Sequence, residues 1–306
     1  MTTKAPIKLL YILGSGHSGS TLSDLILGSH SQIESGGEIN AFQSYFGQNS
    51  DRPKEKRICT CEVHVEDCEY WGRVRQELNL LGGNVDLDIQ AENQKEFEEN
   101  NYRLMKAMLT VSAKEIFCDS SKQYSRLKKF LKSNLFEVTI LHLVRDGRAV
   151  AYSRQKKAAR KADKLDRVGD YKDLYYEGLN SWKRTNAKIH AKFGHRDRYH
   201  RLRYEDLVDN PEKVFIDLLG KLNLEFESDQ LQFWSQTHHN LSGNRMRRNL
   251  FSNGQPEIRM DMSYLENLSF NQWWLGNLYT LSALRRFGYP LRKEALLHRR
   301  IASNIV

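Results

Sequence analysis

Residues 7–22 read IKLLYILGSGHSGSTL, and the fold is decided in that stretch. The run 7–13 is short and nearly all apolar, with β-branched and aromatic members, which predicts a strand. A turn rich in glycine follows at Gly14, Gly16 and Gly19. Beyond it Leu22, Leu25, Ile26 and Gly28 fall on one face of a predicted helix. Strand, glycine loop, helix is the context in which such a loop carries meaning. Glycine opens backbone conformations closed to other residues. Successive N–H groups, aided by the helix dipole, can then cradle a phosphate. Gly16, His17, Ser18, Gly19, Ser20 and Thr21 are therefore the candidate phosphate-binding residues.

Three more strands are predicted outward from this core. One spans 115–118 and ends in Asp119-Ser120-Ser121-Lys122. Another, 138–144 (VTILHLV), is apolar throughout, as expected of a strand covered on both faces. The last, 198–203, runs into Tyr204-Glu205-Asp206. Helical patterns separate them, and this alternation specifies an α/β fold with a parallel sheet. A charged stretch of about 41–110 has helical periodicity around Phe97, Leu104 and Met108 and is read as a helical insertion or extension. A second helical region covers about 154–195. Its charged run, 154–167, reads first as a solvated helix face or mobile loop, and in a sharper alternative as a lid over an acidic acceptor. None of the five prolines makes a linker, so one domain over 1–306 is expected.

Hydrophobic residues make up 40% and charged residues 28% of the 306-residue chain, an ordinary globular mix. No window approaches the ~18 uncharged apolar residues of a membrane span. Residues 1–8 lack the apolar segment of a signal peptide, so a cytoplasmic location is expected. The net charge of +9 fits either a solvated basic surface or capture of an anion. Charge alone does not separate a nucleotide from a sulfated sugar or nucleic acid. The phosphate motif decides for the nucleotide, and no nucleic-acid partner is expected. Oligomeric state stays open. Cys59, Cys61 and Cys68 lie close together, but Cys59-Thr60-Cys61 is tighter than the usual spaced zinc pair. A fourth ligand would have to be His64 or remote Cys118. The cysteines are read as packing residues or a redox-sensitive local pair, and no metal is expected.

The loop also has the spacing Gly-x4-Gly-Lys-Ser/Thr of nucleoside-triphosphate enzymes, except that Ser20 stands in the lysine position. That lysine neutralises the β- and γ-phosphates. Its absence argues against an ATPase or kinase and suits a donor with one phosphate beside its leaving group.

At this point the chain resembles the sulfotransferase family, which shares the P-loop fold. Residues 16–22 look like that family's 5′-phosphosulfate loop. Residues 143–153 (LVRDGRAVAYS) look like its 3′-phosphate element. The resemblance implies 3′-phosphoadenosine-5′-phosphosulfate as donor, with Arg145 and Ser153 on the 3′-phosphate. A guanidinium fork and a hydroxyl suit that task chemically. Arg203-Tyr204-Glu205-Asp206-Leu207 resembles a tyrosine-containing family segment, which implies Tyr204 near the nucleotide. Residues 242–248 (SGNRMRR) resemble a loop that closes over the donor, which implies Arg245 and Arg247 at the 3′-phosphate. Cys59-x-Cys61-x6-Cys68-x2-Trp71 resembles a cysteine segment of many bacterial members, with Glu62 where a glycine is common. The resemblance runs over roughly residues 7–290.

Sulfuryl transfer needs a base for the acceptor and donors or cations around the transferring group. Glu38, in Ser35-Gly36-Gly37-Glu38, is the expected base, with Glu34 the weaker candidate. A glutamate in a similar context serves as base in tyrosylprotein and carbohydrate sulfotransferases. Lys122 resembles a family lysine that faces the transferring group. His17 takes the place of a lysine or arginine in relatives and, as imidazolium, could donate to the leaving phosphate. The expected acceptor is a small molecule, sugar or peptide. Two other readings compete: a kinase-like P-loop nucleotide enzyme, and a non-catalytic protein that binds nucleotides or polyanions.

Overall fold

The computed structural model describes residues 4–48, 50–163, 172–243 and 258–296. Its centre is a five-stranded sheet made of β1 (Ile7–Gly14), β2 (Ile33–Ser35), β3 (Ile116–Asp119), β4 (Phe136–Val144) and β5 (Tyr199–Arg203). Every pairing is parallel, and the order is β2-β3-β1-β4-β5. Four of these strands fall within two residues of the sequence reading. β2 was not anticipated. It has three residues and a single aliphatic, Ile33, too little for any periodicity to register.

The helices in chain order are α1 (Ser20–Gly28), α2 (Phe42–Phe46), α3 (Glu69–Leu80), α4 (Gln94–Ser112), α5 (Tyr124–Phe130) and α6 (Gly147–Asp163). Then come α7 (Lys172–Phe193), α8 (Tyr204–Asp209), α9 (Pro211–Gly220), α10 (Ser263–Asn267) and α11 (Phe270–Arg286). The stretch 41–110 carries α2, α3 and most of α4, with irregular chain between them, and Phe97, Leu104 and Met108 are buried. The second predicted helical region resolves into the end of α6 and α7. Asn210 caps α9 by accepting from the backbone N–H of Lys213, with Pro211 opening the helix, where its missing N–H costs nothing.

Alternation along β1 divides the core. Leu9, Tyr11 and Leu13 join Phe117 and Ile140 under α4 and α5, where Leu104, Met108, Leu127 and Phe130 meet them. Leu10 and Ile12 join Cys118, Leu141 and Leu143 under α1 and α9, against Leu25, Ile26, Phe215 and Leu219. Both faces are covered, so the strands read as continuous apolar runs. Among the described residues no helix is long and apolar enough to cross a membrane.

The chain leaves β1 for the edge strand β2, returns to β3 beside β1, then crosses to β4 and β5. In open parallel sheets, ligands bind at the carboxyl edge where the winding direction reverses. Here that edge lies at the ends of β3, β1 and β4.

Candidate functional site

Each strand hands its candidate residue to that one edge. The glycine loop follows β1, Gly36-Gly37-Glu38 follows β2, and Lys122 follows β3. Arg145 follows β4, and Tyr204 follows β5.

The loop closes on itself through Ser18, whose buried hydroxyl donates to the Ser15 carbonyl at 2.6 Å. Gly19 is the N-cap of α1, in left-handed conformation (φ +88°), and supplies no side-chain cap. The N–H groups of the first turn therefore have no side-chain acceptor from that position, an arrangement suited to an anion. Glycine is required here on a second count. A Cβ on Gly19 would come 2.2 Å from the Tyr204 ring. The ring of Tyr204 packs under the loop, so the loop and β5 are held in register by one aromatic side chain. Ser20 is buried, while Gly16 and Thr21 are half-buried at the rim.

His17 is where the glycine loop meets Arg145 and Ser153. Its Nδ1 lies 3.1 Å from the Ser153 hydroxyl, and its carbonyl accepts from Arg145 Nη1 at 3.2 Å. Arg145 also donates to the Asp261 carbonyl at 3.4 Å and stacks over Tyr204, 4.6 Å from the ring centroid. The Trp182 indole donates to the Arg145 carbonyl at 2.9 Å and fixes the strand end. Burial, reinforced by Lys157, Arg154, Arg145 and Lys122, pushes His17 down to about 4. It is therefore neutral at pH 7 in the free protein, so the imidazolium form that could donate to a leaving phosphate is not its resting state. Its ring is a neutral hydrogen-bonding group between two cationic arms.

Arg154 and Lys157 were not singled out by the sequence, which placed them in a solvated run. In the structure Arg154 is half-buried beside the loop, while Lys157 stays exposed. A Cβ on Gly16 would lie 3.9 Å from Arg154 Nη2, and after burial the charge of Lys157 does most to lower His17. The signal was present in the spacing, since Ser153 and Lys157 are four apart and share a helix face. Asp146 sets that helix. Its carboxylate accepts from the Arg148 backbone N–H at 2.9 Å and pairs with the fully buried Arg148 guanidinium at 2.6 Å.

Across the loop, Lys122 Nζ donates to Glu38 Oε1 at 2.5 Å and to the Ser120 carbonyl at 3.1 Å. Two of the three catalytic candidates thus sit together. Glu34 does not join them. It is buried on β2, where the Tyr70 hydroxyl donates to it and Lys114 stands 3.8 Å away. Behind Glu38, a Cβ on Gly37 (φ +61°) would meet the Asn240 side chain at 3.0 Å. Asn240 in turn donates to the buried Asp24 at 2.6 Å and to Ser35 at 3.0 Å. Neither Asp24 nor Asn240 was visible from sequence, because their partners come from distant segments. Arg245 and Arg247 lie outside the described residues.

The sequence model of a family described as the sulfotransferase family matches residues 10–228. Among solved structures, the chain is similar to the sulfotransferase domain from the curacin biosynthetic pathway. That match has a TM-score of 0.59 and 20% identity, covering 95% of this chain and 100% of that one. It is also similar to sulfotransferase STF9 from Mycobacterium avium, with a TM-score of 0.50 and 11% identity over 95% of this chain and 78% of that one. At these identities the likeness bears on the fold. No curated protein matches the chain in sequence.

Proposed function

The chain belongs to the sulfotransferase family, and on that premise we propose that it transfers a sulfuryl group from 3′-phosphoadenosine-5′-phosphosulfate to a hydroxyl or amine. The observation that carries this reading is the convergence on His17 of Arg145 and Ser153, with the Glu38–Lys122 pair across the loop. One arm suits a 3′-phosphate and the other a reacting group.

In this mechanism the N–H groups of residues 16–21 hold the 5′-phosphosulfate, and Arg145 and Ser153 hold the 3′-phosphate. Lys122 leaves Glu38 for the sulfuryl and bridging oxygens, where charge builds as the S–O bond to the phosphate breaks. Glu38 takes the proton from the acceptor as its oxygen or nitrogen bonds to sulfur. Neutral His17 orients the leaving bisphosphate. Tyr204 acts from beneath, as the packing surface for Gly19 and Arg145.

The test is calorimetry with 3′,5′-adenosine bisphosphate and AMP, alongside turnover of labelled donor against sugar, peptide and small-alcohol acceptors. The bisphosphate should bind far more tightly than AMP. Arg145→Ala should remove most of that preference, about 10- to 150-fold for a charged hydrogen bond of roughly 1.5–3 kcal/mol. Equal affinity for both nucleotides overturns the donor assignment. Tighter binding of ATP with magnesium would favour the kinase-like reading.

A further inference from the structure

The three clustered cysteines do not stand alone, and we propose that with His239 they hold a structural zinc ion. Cys59, Cys61, Cys68 and His239 each offer one ligand atom, and all four atoms lie within 4.8 Å of one another. Cys68 Sγ is 3.4 Å from His239 Nδ1, Cys59 Sγ is 3.7 Å from the same nitrogen, and Cys61 Sγ is 3.6 Å from Cys68 Sγ. Tetrahedral zinc, with Zn–S of about 2.3 Å and Zn–N of about 2.0 Å, sets neighbouring ligand atoms roughly 3.5–3.8 Å apart. These three spacings are close to edges of that tetrahedron, and the other three are within 4.8 Å.

The backbone explains how so tight a cysteine pair can chelate. An isolated bridge pairs Ile58 with His64, and Cys59 N–H donates to the Val63 carbonyl at 2.9 Å. The hairpin turns at Glu62, whose φ of +66° is left-handed and suits glycine best. Both Cys59 and Cys61 thereby face one point. Neither fourth ligand considered from sequence takes part. His64 Nε2 is engaged with the Lys54 carbonyl at 2.9 Å, and Cys118 packs against Asp24.

His239 is held for the role. Its ring stacks on Tyr70, with centroids 4.5 Å apart and planes 6° apart, and its carbonyl accepts from the Trp71 indole at 3.0 Å. Three thiolates and one imidazole are a zinc donor set, and four protein ligands leave no open position, which marks a structural site. Binding releases three thiol protons to solvent. The ion fastens the hairpin to residues 239–240, where Thr60 Oγ1 already donates to the Asn240 carbonyl at 2.7 Å. Asn240 packs behind Gly37, so the ion braces the wall on which Glu38 stands.

Metal analysis of the reduced protein, purified without chelator, should find close to one zinc per chain. Exchange for cobalt should give thiolate charge-transfer bands and tetrahedral d–d bands. Cys61→Ser, at a half-exposed position, and His239→Ala should each lose at least tenfold in zinc affinity. The wild-type measurements stand even if a variant fails to fold. A wild-type chain that stays metal-free in zinc-supplemented buffer overturns the proposal. So does a mass lighter by two hydrogens without zinc, the sign of a Cys61–Cys68 disulfide, and so does a folded Cys61→Ser variant that keeps its zinc. None of these outcomes depends on which donor the protein uses.

Discussion

Glu38 and Lys122 are 84 positions apart in the chain, and their charged atoms are 2.5 Å apart. Neighbouring strands bring them together, since β2 pairs with β3 and each ends in a left-handed turn. Gly37 takes φ +61° in one turn and Lys122 itself φ +60° in the other. A non-glycine residue in that conformation costs about 1–2 kcal/mol, and strain of this kind collects at functional sites. The pair also sets a clean test. Glu38→Gln keeps shape and hydrogen bonding but removes basicity, so single-turnover sulfuryl transfer should fall by ~10²–10⁴-fold. Affinity for the bisphosphate should stay within a few-fold, because Arg145 and Ser153 lie on the other side of the loop. Near-normal transfer in a folded variant would remove Glu38 from the mechanism. Lys122 was legible in the sequence as a polar group next to a strand end, and Glu38 by its Gly-Gly-Glu context. Their contact was not, because it depends on the strand β2, too short to see.

Among the elements, long strands were the easiest to read. Residues 138–144 show no polar side chain except Thr139 and His142, and both faces of β4 are covered. Helix α6 was harder, because its charged side chains look the same in sequence whether they face solvent or a ligand. Its first residues are fixed by Asp146 and Arg148, and its next turns bring Ser153 and Arg154 round to the loop, with Lys157 exposed beyond them. Arg154 and Lys157 together with Arg145 form a cationic wall whose charge acts on His17, with Lys157 its exposed member. If that wall attracts the donor, Lys157→Ala should weaken bisphosphate binding by about 2- to 5-fold, the scale of a partly screened charge pair. The slope of log affinity against log salt should become shallower as well. The same change at exposed Lys106 on α4 should alter neither quantity. An unchanged salt slope in the Lys157 variant would return that stretch to the solvated face expected from sequence.

At the scale of the whole molecule, the site depends on a carboxylate that touches no candidate catalytic group. Asp24, buried in α1, accepts from Asn240, is bonded by the Ser35 and Ser120 hydroxyls, and has the Cys118 thiol 3.8 Å away. It therefore joins α1, β2, the end of β3 and the segment that carries His239. Burial pushes its carboxyl up to about 7, against the hydroxyl bonds and the charge of Lys122, which favour the ionised form. The folded value lies above the ordinary one of 3.8. Between the two values the folded chain holds a proton that the unfolded chain has lost, so this group makes the fold less stable as pH rises through that window. Asp24→Asn cannot ionise and escapes this loss, whatever its packing costs. Melting temperatures of both proteins should be taken from pH 4 to pH 8 and subtracted. The variant should gain on the wild type steadily across the window, by about 2 °C for each kcal/mol of lost penalty in a chain of this size. A difference that stays flat with pH would show that Asp24 does not change its charge on folding, and that the junction beneath Glu38 is held by packing alone.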